Sequence, residues 1–195
     1  MRSAITSLAL LVCWASSVQA TETYIFDTLH SKPTFEFKHL GLTTQSGRFD
    51  KVQGTVTLDR PARTGRVHFI IESASLNMGY GTATPDSPGF KLLQVDHYPT
   101  IEYRSEELFF DDQQRVLAAT GVLTLLGVSK PVTLWLSRFS CTFSSTFKVE
   151  MCTANISASL LRSEFGMRDY IPAISDEVRL SIPVEAYLQV EGTSE

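Results

Sequence analysis

The side chains that could do chemistry in this chain are few, and its four histidines come first: His30, His39, His68 and His97. No two of them are two or four residues apart, so a metal site would need ligands from distant parts of the chain, and we predict none. His39 is distinctive because it follows Phe35 and Phe37 at alternate positions of an apolar face. An inward imidazole there is either a hydrogen-bonded core group or a polar anchor for the head group of a ligand.

Arg162 is the second candidate for an inward polar side chain. It continues a series of alternate apolar positions that includes Ile156 and Leu160. A guanidinium at the end of an apolar face needs a partner, because a buried unpaired charge is costly. Two kinds of partner are open: a carboxylate such as Glu164 or Asp176, or a phosphate or carbonyl oxygen of a ligand.

Motifs of the large enzyme classes are missing from the sequence, which contains neither a G-x-S-x-G nucleophile elbow nor a P-loop. Gly79-Tyr80-Gly81 begins like a dinucleotide fingerprint, but it lacks the third glycine and a βαβ context, so we interpret it as a loop. We therefore predict a binding protein with no catalytic residue, no metal and no cofactor. The alternative is an enzyme in which His39 is the acid or base and Arg162 stabilises developing charge.

The cysteines bear on the compartment of the protein. Of the three, Cys13 lies in an apolar N-terminal stretch, and Cys141 and Cys152 remain. An even number of cysteines in an exported chain is typical of a structural disulfide. A redox or metal pair is the competing interpretation, although the spacing is not C-x-x-C and no histidine cluster is nearby.

Residues 1–20 have the features of a cleaved secretory signal. Arg2 precedes the apolar stretch from Ala4 to Trp14, and Val18-Gln19-Ala20 fits the small-residue rule for cleavage. The domain would then be residues 21–195, in the periplasm or outside the cell. The whole chain of 195 residues has a formal charge of −4, and removal of Arg2 makes it −5. A mildly acidic chain is a poor candidate for nucleic-acid binding, which needs a basic surface.

Apolar and polar residues alternate with a period of two along most of residues 21–195. This pattern is typical of strands with one face toward a core and the other toward water. The clearest runs are Thr34–Leu40, Arg66–Glu72, Thr100–Ser105, Val132–Ser137, Asn155–Leu161 and Val178–Glu185. Turn signals separate the runs at residues 59–65, 111–113 and 127–131, so the sequence predicts an antiparallel up-and-down barrel or a sandwich.

Two segments interrupt the alternation. In residues 80–97, Asp86 or Ser87 could cap a short helix that begins near Pro88, and such a helix would cover one mouth of a barrel. Residues 166–175 form an apolar loop, containing Met167 and Ile171. That loop is either a rim at a pocket entrance or a segment packed on the barrel end.

The order of several motifs resembles the YceI-like family. The motifs are His30-Ser31, residues 35–41 (FEFKHLG), Gly47-Arg48-Phe49, Gly54-Thr55-Val56, residues 98–103 (YPTIEY), residues 121–132, residues 162–167 (RSEFGM) and residues 175–178 (SDEV). They extend over nearly all of residues 21–195 in the family's order. The cysteine pair is similar to that of one subgroup.

The resemblance implies an all-β fold: an extended, eight-stranded, antiparallel, lipocalin-like barrel with a short helical cap. It implies an apolar tunnel for a long-chain isoprenoid of the quinone or polyprenyl phosphate type. An eight-stranded barrel is wide enough either to be filled by side chains or to hold one ligand. We assign to the tunnel Phe35, Phe37, Phe49, Phe69, Ile71, Leu92, Ile101, Tyr103, Leu134, Ile156, Phe165 and Met167, with His39 and Arg162 as head-group candidates.

The predicted function is that of a periplasmic carrier for an isoprenoid or fatty amphiphile. The partners considered are a transient contact with the membrane or with a membrane electron-transfer protein, and a second copy in a homodimer. A filled barrel that acts through its surface is a further alternative, and a continuous interior void would count against it.

Overall fold

The computed structural model describes residues 21–79, 81 and 84–190. The predicted signal peptide therefore lies outside the described residues, as does part of the loop at 79–84. The described chain contains eleven strands, one short helix and two 3₁₀ turns. The strands are β1 (Glu22–Phe26), β2 (Thr34–His39), β3 (Thr43–Phe49), β4 (Val52–Asp59), β5 (Thr64–Glu72), β6 (Leu76–Asn77), β7 (Thr100–Phe110), β8 (Val116–Leu125), β9 (Val128–Ser144), β10 (Val149–Leu161) and β11 (Ile174–Leu188), and the helix is α1 (Pro88–Leu92).

These strands form a closed antiparallel barrel of eight staves, a stave being one strand or two strands in line. Three staves are interrupted: β1 with β2, β3 with β4, and β5 with β6. The pairings β1–β4, β2–β3, β4–β5 and β3–β6 join these three staves, and β5–β7 continues the series. The staves β7 to β11 follow in sequence order, and β11 closes the barrel by pairing with both β1 and β2. The predicted all-β, eight-stranded barrel is confirmed.

Alternation explains why each stave forms where it does. In β5 the side chains of Val67, Phe69 and Ile71 are buried in the barrel, and the residues between them face outward. Trp135 of β9 is exposed on the outer face, whereas its neighbour Leu134 is buried. A period of two places one set of side chains in the core and the other in water, as the sequence predicted.

The two ends of the barrel differ. The upper end carries the β2–β3 turn, the segment with α1 and the β10–β11 loop. The lower end carries the β4–β5 turn and the β9–β10 hairpin. The turn predicted at residues 127–131 is shorter in the structure. The turn is Leu126–Gly127, and β9 begins at Val128.

The short helix lies where it was predicted. Ser87 is its N-cap and accepts a hydrogen bond from the Phe90 amide (3.4 Å), and Pro88 occupies the first turn, where no amide hydrogen is needed. A Cβ at Gly89 would lie 2.6 Å from Leu76, so α1 packs directly on the end of the third stave. Leu93 and Val95, just after the helix, are buried in the main core. The cap is thus part of the core rather than an appendage.

A disulfide fastens the lower hairpin. Cys141 of β9 and Cys152 of β10 are directly opposite in the strand register, and their sulfurs are 2.03 Å apart. The disulfide predicted from the sequence is present, so neither cysteine is available as a free thiol. Within the described residues, no helix is both long and apolar enough to cross a membrane.

Candidate ligand cavity

The upper half of the barrel encloses a cavity of about 590 Å³. Its described lining is almost entirely apolar. Ten of the twelve residues assigned to the tunnel from the sequence line it: Phe35, Phe37, Phe49, Phe69, Ile71, Leu92, Ile101, Tyr103, Leu134 and Met167. Most of the residues predicted for the tunnel therefore lie in the wall of the observed cavity.

One wall of the cavity depends on a close approach between two strands. Phe35 of β2 lies across Gly47 of β3, where a Cβ would be 2.5 Å from the Phe35 ring. The Phe35 ring also packs against Phe37 and Phe49, with ring centroids 6.4 and 5.6 Å away. Glycine at position 47 is needed for this arrangement because any other side chain would occupy the space of the ring.

Three of the predicted site residues lie elsewhere. Ile156 lines a separate, smaller void in the lower half of the barrel. Phe165 is buried in the core but lines neither space. His39 is exposed, since it is the last residue of β2 and lies at the rim, beyond the cavity wall. Alternation gave the correct face of each strand, but it did not give the depth along the barrel axis.

Lining residues that the sequence-based list omitted come mainly from β11 and the cap. Val178, Leu180 and Ile182 line the cavity, and so do Leu76 and Leu93 beside the helix. The β11 residues belong to an alternating apolar face that was recognised in the sequence. That signal was sufficient to find them, whereas nothing local indicated the cap residues.

Arg162 is buried and lines the cavity, and its partners are backbone carbonyls. Its Nε donates to Ser175 O (2.9 Å), its Nη1 to Met167 O (2.9 Å) and its Nη2 to Asp169 O (2.9 Å) and Ile174 O (3.1 Å). The carboxylate partner considered from the sequence is not the one observed, because Asp176 accepts hydrogen bonds from Ser163 instead. Burial, which disfavours the charged form, lowers the pKa of Arg162.

The geometry of Arg162 leaves little capacity for a ligand. A guanidinium has five N–H groups, and the four carbonyls use four of them. One N–H of Nη1 is left without an acceptor among the described residues. Arg162 therefore holds the β10–β11 loop in place first, and can offer one hydrogen bond to a polar group at the mouth.

The loop held by Arg162 forms part of the rim. Met167 and Ile174 at its two ends line the cavity, while Tyr170 and Ile171 are exposed. Leu40 of the neighbouring β2–β3 turn donates its amide to Ala173 O (2.6 Å). Of the two interpretations of residues 166–175, the rim at a pocket entrance describes the loop better.

The floor of the cavity is an aromatic layer. The rings of Phe69 and Tyr103 are stacked with centroids 5.3 Å apart, and Phe26 lies 6.4 Å below Phe69. The Tyr103 hydroxyl donates to Ala119 O (2.9 Å), which fixes the ring. Burial raises the pKa of Tyr103 above its ordinary value. Among the described lining residues, Tyr103 and Arg162 are the ones with ionisable side chains, and neither changes charge near neutral pH.

A charged cluster closes the lower end. Arg60, in the β4–β5 turn, forms an ion pair with Glu150 and donates to the Tyr24 hydroxyl (2.7 Å) and weakly to Cys141 Sγ (3.5 Å). Its Nε lies 3.0 Å from Glu22 Oε2 in a geometry too poor for a hydrogen bond. Burial disfavours ionisation of Glu150, but the hydrogen bonds from Tyr24 and Arg60 outweigh it and lower the pKa of Glu150. Arg60, Glu150 and Tyr24 thus close the lower end of the barrel, and we call them the lower plug.

Two groups of potential metal ligands occur in the described residues, and each is explained without a metal. Cys141, Glu150 and Cys152 lie together, but the two sulfurs are joined in the disulfide. Asp27, His30 and Glu185 lie together on the outside, where His30 Nδ1 hydrogen-bonds to Asp27 Oδ2 (2.9 Å). Neither group touches the cavity.

Comparison with known proteins identifies the family to which this barrel belongs. The sequence matches the model of the YceI-like domain over residues 24–186. The chain belongs to the YceI-like family. A UPF0312 protein of Pseudomonas aeruginosa is 27% identical over 161 residues, which are 82% of this chain and 83% of the relative. A UPF0312 protein of Vibrio parahaemolyticus is 26% identical over 132 residues, 66% of this chain and 69% of the relative.

Solved structures have the same YceI-like architecture. BcnA of Burkholderia cenocepacia superposes with a TM-score of 0.63 at 19% identity, over 82% of this chain and 98% of that one. A domain from Saccharophagus degradans, described as polyisoprenoid binding, superposes with a TM-score of 0.61 at 14% identity, over 85% and 98% of the two chains. At these identities the likeness establishes a common fold.

Proposed function

We propose that this protein is a periplasmic carrier that holds one long-chain isoprenoid lipid, of the quinone or polyprenyl phosphate type, in the upper cavity. The observation that carries the proposal is the cavity of about 590 Å³ with an apolar described lining. Burial of an apolar chain contributes roughly 0.8 kcal/mol per CH₂, so shape and burial alone can hold a long tail. The family and the polyisoprenoid-binding domain of similar fold support the class of ligand.

The polar end of the cargo would lie at the mouth. Arg162 is the one cationic side chain among the described lining residues, and it has one N–H to offer. A single hydrogen bond suits a carbonyl or one phosphate oxygen equally, so the class of head group stays open within the proposal. The alternative enzyme has weaker support, because His39 is exposed at the rim and does not reach the cavity. The cavity also counts against the filled-barrel alternative.

The test is to identify what the protein holds. The protein is purified from periplasm, weighed by native mass spectrometry and extracted with organic solvent for lipid identification. We expect one isoprenoid per chain, released only on denaturation. A protein that is empty and also takes up neither added quinone nor polyprenyl phosphate would overturn the proposal and favour an interaction module.

Two neighbouring substitutions on β9 give a matched control. Val132→Trp introduces a bulky side chain into the cavity, whereas Thr133→Trp adds the same group on the outer face. We expect the first variant to lose the bound lipid and the second to retain it. Equal retention by both variants would place the lipid outside the cavity.

Contact with a membrane would let the cargo enter without crossing water. Leu42 in the β2–β3 turn is 84% exposed, and Leu40 and Tyr170 are also exposed at the rim. The charged side chains of segments 38–42 and 166–173 are Lys38, Arg168 and Asp169, a net positive charge in an acidic chain. Apolar tips with flanking cations favour the surface of an anionic bilayer.

Vesicle flotation tests this contact. Leu42→Ser should reduce binding to phosphatidylglycerol vesicles, whereas Leu29→Ser removes another highly exposed leucine that lies away from the rim and should not. Identical binding by the two variants would show that the rim is not the contact surface.

A further inference from the structure

Two separate voids in the barrel meet at a single side chain. The large cavity occupies the upper half, and a void of about 50 Å³ lies below it. Among the described residues, Leu134 is the one that lines both spaces. Leu134 is buried. Of the inward-facing residues on either side of it in β9, Val132 lines only the cavity and Leu136 lines only the lower void.

The Tyr103 ring in the layer around Leu134 is anchored. It is stacked on Phe69 and its hydroxyl donates to Ala119 O, so it cannot swing aside without breaking a buried hydrogen bond. Ile182, which faces the cavity, is paired in register with Ile156, which faces the lower void. Leu134 has no such anchor and is an aliphatic side chain between two apolar spaces.

The lower void has the same chemistry as the cavity. Its described lining is dominated by aliphatic and aromatic side chains, among them Phe26, Leu58 and Leu108. Below it lies the lower plug with the Arg60–Glu150 ion pair, next to the disulfide. An apolar tail that passed Leu134 would therefore find a favourable space, and would then stop at the plug because desolvating those charges is costly.

We infer that Leu134 sets the longest apolar tail that the cavity accepts. This inference rests on the proposed function and adds selectivity for chain length to it. Along the cavity, each added CH₂ leaves water and affinity rises. Once the tail reaches Leu134, further carbons must fold back or remain in water, so affinity stops rising.

The experiment measures affinity for a graded series of prenols: geraniol, farnesol, geranylgeraniol and solanesol. The wild-type protein should show a rise followed by a plateau. Leu134→Ala joins the two voids, so the plateau should move to a longer prenol, with about a tenfold gain for the first chain beyond the wild-type limit, equivalent to roughly two more buried CH₂ groups.

Two control variants distinguish the loss of Leu134 as a barrier between the two voids from a general loosening of the core. Leu136→Ala and Leu108→Ala each enlarge the lower void alone, so neither opens a passage or changes the cavity. Both should keep the plateau of the wild-type protein. If Leu134→Ala does not fold, Leu134→Val, which removes one methylene, should produce a smaller shift in the same direction.

Each outcome has a distinct meaning. A plateau that moves only in the Leu134 variants supports the role of Leu134 in limiting chain length. The role of Leu134 is overturned if binding by the wild-type protein continues to rise through solanesol, or if all variants shift equally. Either result leaves the carrier function intact. Failure of the wild-type protein to bind any prenol or quinone overturns both the carrier function and the length limit.

Discussion

The hydroxyl of Ser31 bonds to both backbone groups of Glu185. It donates to Glu185 O at 3.0 Å and accepts from Glu185 N at 3.0 Å, and the Ser31 side chain is fully buried. The pairing occurs where the first stave is interrupted between β1 and β2. There the Asp27 amide also donates to Glu185 O (2.8 Å), and the Ser31 hydroxyl takes the place of a backbone acceptor for the Glu185 amide.

Removing that hydroxyl should destabilise the fold. Ser31→Ala leaves the Glu185 amide without its partner, so we expect the free energy of unfolding to fall by about 1–3 kcal/mol. Urea unfolding followed by circular dichroism measures the change. Ser157→Ala, on the exposed face of β10, is the control and should change stability little. Equal loss in both variants would argue against the bridging role.

Substitution of Arg162 should loosen the β10–β11 loop. Arg162→Lys keeps the charge but has one nitrogen to serve four carbonyls, so we expect a loss of about 2–4 kcal/mol in stability. Hydrogen exchange at the amides of Met167 and Ile174 should become faster, since their hydrogen bonds lie within this loop. Arg168→Lys changes an exposed neighbour and should leave exchange unaltered. Unchanged exchange in Arg162→Lys would contradict the anchoring role.

The lower plug should weaken in acid. The pKa of Glu150 is lowered in the folded protein, so its contribution to stability is present above the ordinary carboxyl range and is lost as the pH falls through the folded-state value. We expect Glu150→Gln to be less stable than the wild-type protein at neutral pH, with the difference shrinking toward low pH. Thermal unfolding across a pH series checks this. A difference that is constant with pH would mean that Glu150 is not ionised in the plug.

The disulfide should stabilise the hairpin through chain entropy. The two cysteines are separated by 11 positions, and closing a loop of this size contributes about 3 kcal/mol. We expect the double variant Cys141→Ser, Cys152→Ser to lose about this much in urea unfolding. A reductant should destabilise the wild-type protein and have no effect on the double variant. If reductant affects both equally, its effect does not arise from this bond.

His30 should titrate above its ordinary pKa. Its hydrogen bond to Asp27 raises the pKa of the imidazole, and the charge of Glu185 adds to the effect. The stabilisation is therefore complete below the ordinary histidine value and is lost as the pH rises through the folded-state value. NMR titration of the four histidines measures this directly. Asp27→Asn should return the His30 pKa toward its ordinary value, and a pKa unaffected by that change would contradict the assignment.

The sequence was sufficient for the fold because the barrel repeats one simple rule. Alternation assigned inward and outward faces correctly at Phe69, Leu134 and Ile182, and the cap residues Ser87 and Pro88 located the helix. These features depend on neighbours within a few positions, which a single sequence displays.

The features that were missed depend on distance through space. His39 was assigned to the correct strand, but alternation does not indicate that the strand ends at the rim. Ile156 faces inward as expected, yet at a depth where the interior is narrow. The carbonyl partners of Arg162 come from a loop that Arg162 itself helps to fold, so no spacing in the sequence could reveal them. Arg60, which appeared to be an ordinary turn residue, acquires its role from Glu150 across the barrel.

The double pairing of β11 has a mechanical consequence. Its lower part is bonded to β1 at Tyr24–Phe26, and its upper part to β2 from Thr34 onward. Because different strands hold the two parts of β11, separation of β11 from β2 would break the hydrogen bonds of the upper part and leave those to β1 in place. Opening at the mouth would therefore be a local event, distinct from global unfolding of the barrel.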